Sequence, residues 1–335
     1  MIFSYLDAQF DKISDQINLP EDQLKLVFCL LFSYPAGFVF KRIQNPTIRH
    51  AVNIFLGLFY IYLIFREHLL HLVNLAIINY VLLKVVKRNA SKLSMILSMA
   101  YLLCVHFWVY MYYFGHWRID ITASLMIAVC KFTSFSMNYK DGGKDKEKLS
   151  EHQYQNRIVE LPSIFEYVSY IFFYASVLVG PYVEYKAFDD FMNKRGHYAH
   201  KYRLFLASLA YLMSAFGFIF ALLKFAPHFP AHYMITTEFA SESLLYKLVY
   251  INISMLAVRM KYYGGWSFGN SIITACGFNY NPNGKNFFKK YGKYVNVKPI
   301  EFEISNFREK SEAWNCSCQY WLKHYVYFRI CSAEQ

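Results

Sequence analysis

Asn315 has the side chain best suited to chemistry in this sequence. Asn315 follows Trp314 and precedes a strongly aromatic run over residues 316–329. An amide can orient a substrate or bind negative charge that develops on an oxygen, and a polar group in apolar surroundings is costly unless it has a partner or a role. If the run is helical, Asn315, Cys318 and Leu322 share one face at the i, i+3, i+7 spacing. We therefore expect the amide to point into whatever that face lines.

Four charged side chains in apolar stretches are the next candidates. Asp120 and Lys131 are eleven residues apart, which is about three turns of a helix and too far for direct pairing, so each lines an aqueous cavity or pairs elsewhere. Arg259 and Lys261 lie beside aromatic residues and suit phosphate groups, with a basic helix end as the alternative. The candidate substrate-binding set is Asp120, Lys131, Arg259, Lys261, Tyr262, Trp266, Trp314 and Trp321.

The histidine and cysteine spacings do not indicate a metal site. The closely spaced histidine pairs are His68/His71, His197/His200 and His228/His232. They do not form clustered histidine boxes, and Pro230 breaks the helix that the third pair would need. Cys316 and Cys318 lack further ligands nearby. We expect no metal ion, and we expect the cysteines to act mainly as small apolar side chains.

The composition is that of a membrane protein. Of the 335 residues, 56% are hydrophobic, 20% are aromatic and 17% are charged, whereas a soluble domain has about 25% charged residues. The formal net charge of +12 lies mainly in the connections between apolar runs, as expected for cytoplasmic loops that face anionic lipids. No soluble module carries this charge on a basic face, which argues against nucleic-acid binding.

Eight apolar runs approach the ~20 residues that a helix needs to cross hydrocarbon. They are residues 24–40, 52–65, 69–86, 93–114, 119–135, 163–185, 202–226 and 244–263. We predict an all-α polytopic membrane protein with about eight transmembrane helices plus short re-entrant or interfacial helices. A turn is predicted at residues 264–270. Residues 1–330 are interpreted as one domain, followed by an atypical tail at 331–335.

The basic loops predict the topology. Loops 41–49, 84–92 and 137–160 fall on one side by parity, so the positive-inside rule places them in the cytosol and the N-terminus on the opposite side. The connection at residues 186–203 is also basic, so strict alternation fails around residues 163–185. Either that segment is re-entrant or tilted, or one basic loop is luminal.

Four separated stretches form an ordered signature. They are Asp120-Ile-Thr122 with Lys131 and Tyr139-Lys-Asp-Gly142; residues 172–182 with Val179-Gly-Pro181; Arg259-Met-Lys-Tyr-Tyr-Gly-Gly-Trp-Ser-Phe-Gly-Asn270; and Trp314-Asn315 with Trp321-Leu322 and Tyr325-Val-Tyr-Phe-Arg329. Together they resemble the membrane-bound O-acyltransferase family, and in particular its lysophospholipid acyltransferase branch. The likeness runs from about residue 117 to residue 329.

The resemblance implies a multi-pass enzyme of the endoplasmic reticulum membrane. Its helices surround an internal chamber that opens to the cytosol for acyl-CoA and to the bilayer for a lysophospholipid. It implies no cofactor, with acyl-CoA as the co-substrate. A family histidine acts as general base on the lysophospholipid hydroxyl, which attacks the thioester carbonyl, and the asparagine of the Trp-Asn motif assists. By resemblance, Asn315 occupies the position of that catalytic asparagine.

The sequence departs from the family pattern at the general base. The resemblance places the catalytic histidine a few dozen residues beyond Trp-Asn, in an apolar run that reads roughly Ser-Ala-Phe-Trp-His-Gly. The 335 residues contain no such run, and His324 is too close to Asn315 to take the role. We therefore expect a C-terminally shortened and inactive form. The alternatives are a non-catalytic membrane protein that binds lipid or acyl-CoA or regulates a partner, and a channel or transporter, which the lack of internal repeats disfavours. The sequence leaves the oligomeric state open.

Overall fold

The computed structural model describes residues 2–17, 19–115, 118–200 and 202–331. The first helices are α1 Ile2–Ile17, α2 Glu21–Arg42, α3 Pro46–Phe65, α4 Leu69–Val85, α5 Ser91–Tyr113, α6 Thr122–Asp141, α7 Glu151–Asn156, α8 Ile164–Ile171 and α9 Tyr185–Met192. They are followed by α10 Phe205–Phe225, α11 Thr237–Ser241, α12 Leu244–Ala275, α13 Phe287–Tyr291, α14 Pro299–Ile304, α15 Phe307–Ala313 and α16 Cys316–Trp321. A π-helix over Leu322–Tyr327 and α17 Phe328–Cys331 continue from α16. The all-α prediction is confirmed, since the only strand-like pairing among the described residues is an isolated bridge.

Four helical segments of the described chain are long and apolar enough to cross a membrane. They are Glu21–Arg42, Pro46–Val85, Lys87–Tyr113 and Phe205–Ile235. The second contains both α3 and α4, which meet at a short 3-10 turn over Arg66–His68. The number of about eight spans remains a prediction. The boundary predicted at 330/331 is also untested, because residues 332–335 lie outside the described residues.

The basic loops gather at one end of the helices, which we call the basic end. Arg88 donates to the carbonyls of Tyr139 at 2.7 Å and of Val159 at 2.6 Å, so the second and third basic loops meet. Arg49 donates to the Phe191 carbonyl at 3.0 Å, and α7 contacts α9. The connection that follows α9 therefore lies at the same end as the three loops that were predicted to be cytosolic.

Residues 163–185 turn back to the basic end instead of crossing. A capping box, in which Ser163 and Glu166 satisfy each other's backbone amides, starts α8. The helix has 8 residues, a length of about 12 Å, and irregular, largely buried backbone then leads to α9. Of the two possibilities left open by the basic loops, the structure supports the re-entrant one. We call residues 163–184 the re-entrant segment.

Two buried polar side chains hold the re-entrant segment. Asn53 of α3 donates to the Ser169 carbonyl at 2.6 Å and accepts from the Tyr174 amide at 3.1 Å. Lys131 of α6 donates to the carbonyls of Tyr170 at 3.0 Å and of Ile171 at 3.1 Å, which are the last residues of α8. These bonds satisfy backbone groups that a short broken helix leaves without intrahelical partners.

Helix α12 runs through the position at which a turn was predicted. It is continuous over 32 residues from Leu244 to Ala275 and includes Gly264 and Gly265, so the predicted turn at 264–270 is wrong. A side chain at Gly264 would lie 2.9 Å from Ile219 of α10. The glycine therefore permits close packing of two antiparallel helices, and this tertiary packing overrides the low helix propensity of glycine.

Candidate active site

Asn315 occupies a sharp turn between an extended segment and a helix. Val297 pairs with Trp314 in the isolated antiparallel bridge, and the Lys298 amide donates to the Ala313 carbonyl at 2.9 Å. Asn315 then adopts φ 45° and ψ 48°, the left-handed conformation, and α16 begins at the next residue. Asparagine tolerates this conformation better than most residues other than glycine. The backbone therefore gives one reason for an asparagine at this position.

The side chain of Asn315 is free to meet a ligand. It is half-buried, it makes no capping bond to α16, and no hydrogen-bond partner for its carboxamide is found among the described residues. An unengaged amide offers donors as well as an acceptor. The predicted shared face with Cys318 and Leu322 is wrong, because Asn315 precedes the helix and Leu322 is exposed.

An aromatic wall stands beside the turn and consists of Trp314, Trp266 and Tyr262 with two further rings. The Trp314 ring lies 5.0 Å from that of Trp266 and 5.7 Å from that of Tyr262, both edge to face. Tyr263 and Phe302 complete the cluster at 6.0 Å and 5.2 Å. Three predicted substrate-binding residues are thus brought together next to Asn315, on α12 and on the bridge.

Arg259, one of the two predicted phosphate-binding cations of α12, is paired with a carboxylate within the protein. Arg259 donates to both carboxylate oxygens of Glu303, at 2.9 and 3.0 Å, and Tyr263 donates to the same carboxylate at 2.6 Å. Burial raises the pKa of the Glu303 carboxyl, but these hydrogen bonds hold it below its usual range. The guanidinium is therefore paired within the protein, not presented to a phosphate. Lys261 is half-buried, with its amine 5.3 Å from the Tyr262 ring centre.

The helical segment 316–331 packs along α6 in a constant register. The contacting pairs, in order, are Cys318 with Cys130, Trp321 with Thr133, Tyr325 with Asn138, and Arg329 with Asp141. The last three pairs are 188, 187 and 188 positions apart, so the two helices run parallel and the segment leads from the Asn315 turn to the basic end. Trp321, predicted to bind substrate, is 4% exposed and donates to Thr133 at 3.0 Å.

A buried polar cluster lies where this segment meets the re-entrant segment. Glu184, 4% exposed, accepts from the Tyr325 hydroxyl at 2.7 Å and from the Asn138 amide at 3.2 Å. The Nε2 atom of His152 is 3.7 Å from Glu184, and its ring stacks on that of His324 at 3.9 Å. The carboxylate thus joins α6, α7, the re-entrant segment and the helix that follows Asn315.

The two charged residues of the first stretch are not brought to Asn315. Asp120 precedes α6 and accepts from the Thr122 amide at 2.8 Å, and it lines a cavity of about 440 Å³ at the end opposite the basic one. Lys131 is fully buried, with the α8 carbonyls and the Ser176 hydroxyl, at 3.1 Å, as its partners. Asp120 lies outside α6, so the two residues do not share one helix. Lys131 finds its partners elsewhere, as expected, but they are backbone carbonyls and a hydroxyl and not a carboxylate.

The sequence reasoning missed Glu184, Asn138 and Asn296. Glu184 is a single carboxylate after a long apolar run, and the rule that selected Asp120 would have selected it as well. Asn138 and Asn296 carry no comparable signal, since their roles depend on contacts with residues more than twenty positions away. No group of three or more potential metal ligands occurs among the described residues, and the expected absence of a metal remains a prediction.

Oxidation of the native cysteines tests the register of segment 316–331. Copper phenanthroline in air is expected to form a disulfide between Cys130 and Cys318, because these thiols lie beside each other. Peptide mapping by mass spectrometry detects the link. The matched variants are Cys318→Ser, which should abolish it, and Cys316→Ser, which should retain it. A link from Cys130 to Cys316 would contradict the register.

Comparison with known proteins identifies a family that matches this chain and several similar proteins. A sequence profile described as the membrane-bound O-acyltransferase family matches residues 106–335. A Schizosaccharomyces pombe protein named lysophospholipid acyltransferase is 30% identical over 97% of this chain and 66% of its own length. Lysophospholipid acyltransferase 6 of Drosophila melanogaster is 27% identical over 96% of this chain and 48% of its own length. Membrane-bound glycerophospholipid O-acyltransferase 1 of mouse is 27% identical over 95% of this chain and 70% of its own length. The chain thus spans about half to two thirds of the length of these relatives.

Proposed function

The chain belongs to the membrane-bound O-acyltransferase family, and from this premise we propose that it serves the transfer of an acyl chain from acyl-CoA to a lysophospholipid hydroxyl. In that reaction the hydroxyl oxygen forms a bond to the thioester carbonyl carbon, the carbon–sulfur bond breaks, and the hydroxyl proton leaves through a base to the CoA thiolate. The relatives named above support the reaction class. The apolar helices and the family support a membrane setting.

The observation that carries the proposal is the unengaged Asn315 carboxamide beside the aromatic wall. An amide N–H aimed at the thioester oxygen binds the ground-state carbonyl and binds the developing oxyanion more strongly. The wall excludes water on one side, which strengthens such a bond. The left-handed turn does not require the Asn315 carboxamide, because the Asn315 side chain makes no capping bond to α16 and the Cys316 amide is held by the Asn296 carbonyl. Asn315 is therefore assigned to the thioester carbonyl.

The histidine nearest to Asn315 in the sequence does not supply the base next to it. His324, nine residues along a helical segment, is about 13 Å further along the axis. Burial and the adjacent His152 ring lower the pKa of its imidazole to about 4, so it is a weak base at neutral pH. We therefore propose that the 335 residues bind acyl-CoA and lysophospholipid, and that turnover requires the histidine of the Trp-His-Gly run, which they do not contain.

The protein acts in the endoplasmic reticulum membrane with no metal or organic cofactor, and acyl-CoA is a co-substrate that enters from the basic end. The domain is the single unit of residues 1–330. The second candidate function, a non-catalytic protein that binds lipid or acyl-CoA, is favoured by one observation, the position of His324 nine residues beyond Asn315, about 13 Å further along the helix axis. Both candidate functions predict that the 335 residues alone bind acyl-CoA without transferring its acyl chain.

An assay of microsomes from cells that express the 335-residue chain tests this proposal. With radiolabelled acyl-CoA and lysophospholipids, we expect transfer no faster than in membranes from cells with an empty vector. A photoreactive acyl-CoA should label the protein, and unlabelled CoA should compete. Robust turnover would overturn the proposed need for a further histidine. Labelling that CoA fails to reduce would overturn the proposed binding of acyl-CoA.

A further inference from the structure

One buried asparagine ties the Asn315 turn to the re-entrant segment. Asn296 is 2% exposed. Its side-chain nitrogen donates to the Val179 carbonyl at 2.8 Å, and its side-chain oxygen accepts from the Ser317 hydroxyl at 2.7 Å. Its backbone carbonyl accepts from the Cys316 amide at 2.8 Å. Two of these three partners are the residues that directly follow Asn315, so the start of α16 is fixed relative to the re-entrant segment.

The contact between Asn296 and the re-entrant segment requires a glycine at position 180. Gly180 has φ +78°, and a Cβ at that position would lie 2.9 Å from the Asn296 side-chain nitrogen. Only glycine combines that conformation with that approach at low cost. The Asn296 amide is thus clamped between the Val179 carbonyl and the Ser317 hydroxyl, and both of its polar atoms are engaged.

We propose that Asn296 is a positioning residue for Asn315, holding the left-handed turn so that the Asn315 carboxamide is pre-aimed at the thioester carbonyl. This inference rests on the role proposed for Asn315. A side chain that is already ordered loses less freedom when it binds, so its hydrogen bond contributes more to affinity. Without the Asn296 side chain, the start of α16 loses its hydrogen-bonded link to the Val179 carbonyl of the re-entrant segment, and the orientation of the neighbouring Asn315 carboxamide is no longer fixed.

A pair of ligands isolates the effect on the thioester. Hexadecanoyl-CoA has the carbonyl, whereas S-hexadecyl-CoA has the same chain length without it. We call the ratio of the Kd of the thioether to that of the thioester the thioester preference. Asn296→Ala and Ser317→Ala are each expected to lower this preference about threefold, while the thioether Kd changes by less than about twofold, because only the carbonyl bond is affected. The double variant should lose little more than either single variant, since both act on one link.

Asn279 provides a matched control. It is another fully buried asparagine of the same irregular region. It donates to the Thr274 hydroxyl at 3.2 Å and accepts from the Tyr294 amide at 2.6 Å, and neither partner belongs to the turn at residues 315–317. Asn279→Ala is expected to lower the unfolding temperature and leave the thioester preference unchanged. An Asn296→Ala variant that keeps the full preference, or an Asn279→Ala variant that loses it equally, would overturn the inference.

The alkylation rate of Cys316 separates this inference from the proposed function. Cys316 is half-buried and precedes Ser317, whose hydroxyl is bound by the Asn296 side chain. Loss of that side chain in Asn296→Ala should therefore raise the reaction rate of Cys316 with maleimide about fivefold by loosening the turn, whereas Asn279→Ala should not. Mass spectrometry quantifies each site on the intact chain. If the unsubstituted protein shows no thioester preference, the role of Asn315 fails. If Cys316 reactivity is unchanged in Asn296→Ala, the positioning role of Asn296 fails, whatever the ligand binding shows.

Discussion

Asp141→Ala is expected to destabilise the fold more than any other single substitution considered for this protein. Asp141 is fully buried at the end of α6 and binds the Arg329 guanidinium through two bonds of 2.9 and 2.5 Å. Removal of one partner from a buried, bidentate pair typically costs about 3–5 kcal/mol, because the other charge remains without compensation. For a protein of this size the midpoint of thermal unfolding should fall by about 10 °C. Thermal scans of the detergent-solubilised protein, read by the loss of its monodisperse chromatographic peak, measure this shift.

Two variants separate the buried pair from charge effects in general. Asp145→Ala removes the carboxylate that pairs with the Lys148 amine at 2.9 Å. Both side chains of this pair are 71% exposed. The substitution should leave the midpoint unchanged because exposed pairs contribute little. Asp141→Ala with Arg329→Leu should recover part of the loss, because the charge that still loses its partner, Lys144, is 38% exposed and can be solvated. Equal midpoints for Asp141→Ala and Asp145→Ala would refute the role of the pair in holding segment 316–331.

The fold class was predictable because it depends on local composition. Long apolar runs with basic connections have few stable arrangements other than membrane-spanning helices, and the runs at 24–40 and 93–114 became α2 and α5. Residues 163–185 were less predictable, since hydrophobicity gives the length of a run and not its path. The basic residues on both sides of that segment were the usable signal, and they left two possibilities that the contacts of Arg88 and Arg49 with the basic loops decide.

The candidate site was predictable in its residue types and not in its local geometry. Trp314, Trp266 and Tyr262 converge in the structure, and their binding of substrate stays a prediction. The turn at Asn315 depends on pairing with residues 296–298, which no local pattern reveals. Lys131 was identified as a costly buried charge, yet its partners are backbone carbonyls, which have no sequence signature. Periodicity extended the helix one residue too far at Asn315, because a left-handed residue cannot be recognised from hydrophobic spacing.

Asn315→Gly is expected to have the largest effect on ligand recognition. Glycine adopts the left-handed conformation at φ 45° without a steric cost, so the turn and α16 should be preserved while the carboxamide is lost. One hydrogen bond to the thioester oxygen is worth about 0.5–1.5 kcal/mol, equivalent to about 2- to 12-fold in Kd. Asn315→Ala is the companion variant, because it removes the same carboxamide and adds about 1–2 kcal/mol of backbone strain. Equal thioester preference and unequal stability in these two variants would separate the side chain from the turn.

The most direct test of the central claim is the thioester preference of the unsubstituted protein and of Asn315→Gly, measured with hexadecanoyl-CoA and S-hexadecyl-CoA. The account predicts that the unsubstituted protein binds the thioester several-fold more tightly, by up to about tenfold, and that Asn315→Gly binds both ligands equally, with its thioether Kd unchanged. A preference that persists in Asn315→Gly would contradict the assignment of Asn315 to the thioester carbonyl.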